Sequence, residues 1–150
     1  MKHLSALPLR FRFFAEPFEI YIALACLVTG VPAAIGSAHP QSLARALQSL
    51  SWLLHAWGAL LCLGAVATLV ARWRIARPQT ELGDMAARAL EVVGLVALAT
   101  AIGVYVVAIL AVGMAGLAAG ATTAAASASC AMRAWIVSAE LKRQRQAING

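Results

Sequence analysis

Charge is what this chain most lacks. Only 12% of its 150 residues are charged, six of them acidic, and Val92 to Met132 is a run of 41 residues without a formal charge. One bilayer crossing takes about 20 apolar residues, so this run is long enough for two crossings and a tight turn. The alternating segments of about 10 residues that mark a transmembrane barrel are missing as well. The apolar runs are continuous and rich in Ala, Leu and Val. Lipid offers the backbone no hydrogen-bond partners, so such runs fold as helices. Cysteine is scarce: Cys26, Cys62 and Cys130 each stand alone in an apolar run, without metal or redox spacing. They read as small apolar packers rather than as a disulfide framework. Hydrolase, zinc-protease and phosphate-loop motifs are absent, as are paired carboxylates. Neither an enzyme nor a bound cofactor is therefore expected.

What is present is a chain 62% hydrophobic, with mean hydropathy +0.81 and net charge +6. That balance places it in the membrane class. The pattern predicts an all-α integral membrane four-helix bundle in one domain, with spans near 20–38, 50–71, 89–112 and 115–137 and a basic tail over 138–150. Before the first span, Leu9 to Glu19 mixes aromatic rings with charge, which suits a short segment lying at the bilayer surface. Gly30 and Pro32 predict a kink or early end in the first span. Gly36-Ser37-Ala38 has the form of a leader cleavage site, but Glu16 and Glu19 beside the apolar stretch favour a retained span. Pro40, Gln41 and Ser42 suit a turn or helix start. Trp52 and Trp73 lie 21 residues apart, about 31 Å of helix, and read as an aromatic belt at the two membrane surfaces. Thr80 is a plausible cap for a third helix beginning at Glu81, with Asp84–Arg88 and Arg88–Glu91 ion pairs along its exposed start. Gly113 to Gly116 makes a short turn into the fourth span.

Eleven of the 12 basic residues fall on one side when loops are assigned alternately, leaving Arg45 on the other. Positive loops stay cytoplasmic, so both termini and the central loop are expected inside a bacterial plasma membrane. The basic charge thus serves orientation, and nucleic acid is not an expected partner.

Few residues are candidates for chemistry. Gly116, Gly120, Thr123, Ser127, Cys130 and Ala134 share one stripe of an Ala-rich fourth span. This suits close helix packing through Gly116 and Gly120, or a mildly polar pore lining when copies assemble. Glu91 is an intramembrane carboxylate, a functional candidate by default. Its position just inside the interface, one turn from Arg88, favours a snorkelling, paired residue. Gly94, Ala101, Tyr105 and Ala108 continue roughly its face, so that stripe should meet another helix. His55, one turn after Trp52, is an interfacial polar group or a sensor of external pH. Arg72 ends the second span in the headgroups, and Arg133 beside Trp135 reads as a snorkelling anchor.

The aromatic-rich start around Phe11–Tyr21, the Trp52–Trp57 segment and Glu91 through Tyr105 resemble small four-span membrane proteins of actinobacterial phages and prophages. Some of these are holins and others are implicated in excluding competing phages. The resemblance implies a self-associating, membrane-permeabilising protein. The alternatives are a non-lytic membrane partner (an exclusion factor or an accessory subunit) and a small ion-coupled transporter resting on Glu91. Four spans exceed the usual one to three of a holin, and no second Met follows Met1 closely.

The orientation is testable with fused reporters. A reporter active only in the cytoplasm should work when joined after Arg77 or at the C-terminus and fail when joined after Arg45.

Overall fold

A computed structural model describes residues 17–38, 40–46, 51–77, 80–112 and 117–149. Among them every regular element is helical. Helix α1 is Pro17–Ala34, α2 is Gln41–Ala46, α3 is Ser51–Ala76, α4 is Glu81–Val112 and α5 is Leu117–Asn149. The surface segment expected before Pro17 and the turn over Gly113–Gly116 lie outside the described residues. Three helices, α1, α3 and α4, are long and apolar enough to cross a membrane. The fifth, rich in Ala, Ser and Thr, falls short of that standard by composition.

Local chemistry explains the boundaries. Helix α1 ends at Ala34, four residues before the expected end of the span. There Gly36 takes φ +75°, its amide donates to Ala33 O at 3.2 Å, and the Ser37 amide donates to Pro32 O at 2.9 Å. This is a Schellman cap, and a glycine takes the left-handed turn position without a steric penalty. Helix α4 starts where Thr80 predicted: the Gly83 amide donates to Thr80 Oγ1 at 3.3 Å. The basic tail beyond residue 138 is a continuous extension of α5.

The helices pack in chain order, α1 on α3, α3 on α4 and α4 on α5, with little α2 laid over α3 and α4. Glycines set the closest approaches. A Cβ on Gly30 of α1 would lie 2.9 Å from Leu61 Cβ and 3.0 Å from Gly58 O of α3. A Cβ on Gly94 of α4 would lie 2.7 Å from the Thr68 amide nitrogen and 2.9 Å from Gly64 O of α3. Small residues at crossings let backbones approach and gain dispersion contact, which drives helix association where water does not. Helix α5 runs antiparallel along α4, with the Ser127 hydroxyl donating to Ala99 O at 2.8 Å. Further along, Arg88 reaches Glu140 at 2.9 Å and Asp84 at 3.0 Å. With 32 and 33 residues, α4 and α5 are each nearly 50 Å long by helix rise. Both outreach a hydrocarbon core of about 30 Å.

Two glycine substitutions separate these effects. Gly94→Ala should destabilise by about 1–3 kcal/mol through overpacking. Gly103→Ala, whose Cβ would sit 3.6 Å from Ser127 Oγ, should be neutral or stabilise by up to about 1 kcal/mol through helix propensity. Reversible unfolding in detergent micelles measures both.

Candidate functional site

Four charged side chains, one from each long helix, meet inside the bundle. Glu19 lies in the first turn of α1, where the positive helix end favours an acid. Arg72 comes from the last turns of α3, Glu91 from the third turn of α4 and Arg133 from the middle of α5. Arg133 Nε lies 2.8 Å from Glu19 Oε1 and 3.6 Å from Glu91 Oε1. Arg72 Nε lies 3.5 Å from Glu19 Oε2, and its Nη1 lies 3.6 Å from Glu91 Oε1. Each arginine therefore sits between both carboxylates, and the formal charge of the set cancels. Glu91 is 1% exposed, Arg72 7% and Glu19 8%. The Arg133 side chain, 29% exposed, is the member nearest the rim.

This arrangement corrects three expectations. Glu91 does not snorkel with Arg88: it points into the bundle, while Arg88 bonds Asp84 on its own helix and Glu140 on α5. Helix α3 ends at Ala76, just before Pro78 as expected, but Arg72 does not reach outward: its guanidinium turns inward between two carboxylates. Arg133 is a bridge between α1, α4 and α5 rather than an anchor reaching outward. The physical reason is shared. A charge buried among packed helices lowers its energy most by facing opposite charges within the protein. Glu19 was overlooked because it adjoins an aromatic, charged segment that suits a surface position. The available signal was depth: Glu19, Arg72, Glu91 and Arg133 all fall near the same boundary of their respective spans, with balanced signs.

The other candidates separate into packing and periphery. Gly94, Ala101 and Ala108 are buried, and Tyr105 stacks on Trp57 with ring centroids 5.8 Å apart, so that stripe of α4 does meet another helix. Trp57, unassigned from sequence, donates its indole N–H to Ala101 O at 2.7 Å and ties α3 to α4. Gly120, Cys130 and Ala134 are buried, and Ser127 bonds α4. Thr123 bonds its own helix at Ala119 O, 2.8 Å away. Gly120, Ser127, Cys130 and Ala134 thus take part in packing within the chain, while Thr123 is half-exposed. Gly116 lies outside the described residues. A Cβ on Gly120 would meet side chains only at ordinary contact distance, 3.5 Å from Ile109. His55 is exposed, 3.2 Å from Ser51 O through Nδ1, and faces the Gly36 turn. Trp52, Trp73 and Trp135 are all exposed. Arg77 lies over the Trp73 ring at 3.5 Å. The thiols of Cys26, Cys62 and Cys130 are free.

Where α1 and α5 face each other the bundle is grooved, and the grooves open to the outside. One cavity of about 390 Å³ is lined by Phe18, Glu19, Ile22, Cys130, Met132 and Arg133 among others. A second, of about 200 Å³, lies beside Ile22, Cys26, Trp57, Tyr105 and Thr123. Comparison with family models, curated proteins and solved structures gives no match.

Removing one member of the charge set leaves an uncompensated buried charge. Glu91→Leu and Arg72→Leu should each cost about 3–5 kcal/mol. The double variant should cost clearly less than the two together, with a coupling above about 1 kcal/mol, read from a double-mutant cycle of unfolding in micelles.

Proposed function

We propose that this chain is a four-span, non-enzymatic protein of a bacterial plasma membrane, with both termini cytoplasmic. On this reading it assembles with copies of itself and permeabilises the membrane in the manner of a phage holin. Crossing by α5 follows from its partner: it lies antiparallel along α4 from Ser127 at Ala99 to Glu140 at Arg88. If α4 spans, α5 returns with it, despite its low apolarity. Among the described residues, Arg74, Arg77 and Arg88 lie at the end of the bundle that holds the four-charge set, which supports cytoplasmic termini.

The observation that carries self-assembly is the outward face of α5. Ala121, Ala124, Ala125, Ala128 and Ala131 are exposed, on a face beside the stripe packed on α4. Alanine gives little transfer energy into lipid and permits close helix approach. Such a face gains more from another helix than from acyl chains. The same face suits a different membrane protein as partner, so the non-lytic reading is retained as the alternative. Glu91, the basis of a transporter reading, is held between two arginines that connect the helices.

Induced expression in bacterial cells should collapse the membrane potential abruptly after a delay. Replacing Ala121, Ala125 and Ala128 together by Leu should change that delay and lower the oligomer yield in membrane cross-linking. An unaltered potential at high expression rejects permeabilisation. A stoichiometric partner from another gene, with harmless expression, supports the alternative.

A further inference from the structure

The three other seams of the bundle and the α1–α5 seam are built differently. Helices α1 and α3 touch backbone to side chain at Gly30 and Gly58, and α3 and α4 do so at Gly64 and Gly94. Helices α4 and α5 share the Ser127–Ala99 hydrogen bond and the Arg88–Glu140 pair. Across α1 and α5, by contrast, lie the two apolar cavities, bridged at one end by Glu19 and Arg133 at 2.8 Å. Cavity walls forgo the dispersion contacts that hold packed helices together.

We infer that the Glu19–Arg133 pair is a latch on a lateral seam, and that α1 swings from α5 when the pair is broken. The groups facing Glu19 are Arg133 from α5 and Arg72 from α3, and both arginines also face Glu91 from α4. Neutralising Glu19 therefore leaves Arg72 and Arg133 with Glu91, which keeps α3, α4 and α5 together. Helix α1 loses both of those charged contacts. Its pivot is the close Gly30–Gly58 contact, 11 residues from Glu19, a lever of about 16 Å by helix rise. The walls exposed by such a swing, Ile22, Cys26, Trp57 and Tyr105 among them, are apolar and suited to an entering acyl chain. Opening of the seam does not depend on permeabilisation, and each can fail without the other.

Spin-label distances in the full chain, reconstituted in lipid nanodiscs with the native cysteines replaced by Ala, test the latch. One pair reports α1 to α5, on exposed Leu24 and Ala128; a control pair reports α3 to α4, on exposed Val66 and Val96. In Glu19→Gln the α1–α5 distance should shift to a longer population while the control stays put. Glu19→Asp, which keeps the charge, should restore the shorter distance in most molecules. An unchanged α1–α5 distance in Glu19→Gln overturns the latch. So does an equal shift of both pairs, because the network would then support the whole bundle rather than one seam.

Discussion

A pair of carboxylates and a pair of guanidinium groups, three of the four buried, is the constraint around which this bundle is arranged. Bringing each ion into a low-dielectric interior costs several kcal/mol even after relaxation. The expense is offset only if opposite charges arrive together from all four helices. Arg72 and Arg133 each approach both Glu19 and Glu91, so no helix can shift by a turn without separating two contacts. Apolar surfaces alone would not impose this register, because lipid tails solvate Leu and Val as well as a neighbouring helix does. The charges thus act chiefly on specificity: they select one depth for each helix.

Glycine and small residues complete what charge begins. The approaches at Gly30, Gly58, Gly64 and Gly94 bring α1, α3 and α4 close, and the Trp57 indole reaches a backbone carbonyl of α4 across that contact. A donor of this kind gains from the absence of competing water, and its loss would leave a buried polar group unsatisfied. The result is a wedge of α1, α3 and α4 held closest at those glycines. Helix α5 is attached to one side of the wedge, and the cavities mark where it fails to meet the other.

Much of this architecture is legible in the residues themselves. The helical class, the start of α4 at Thr80, the shortening of α1 near Gly30 and Pro32, and the inward face through Gly94, Ala101 and Tyr105 follow from composition, capping and period. The direction of charged side chains does not. Arg72 and Arg133 adjoin tryptophans near a span boundary, and the same sequence context suits a side chain turned outward to phosphate or inward to carboxylate. Only the packing of α1 beside α3, and of α5 beside α4, brings Glu19 within reach and decides the matter. The stripe of Gly120 and Ser127 poses a similar ambiguity: its residue types suit a pore or a packed face, and within one chain Ser127 bonds α4.

The spacing of the four charges along the chain bears on how the protein is made. Arg133 is the last of them to leave the ribosome, 42 residues after Glu91. Until it arrives, Glu19 and Glu91 face a single base, Arg72. The set therefore stays unbalanced until the last helix is made, and α5 completes the charge balance of the bundle as well as its packing.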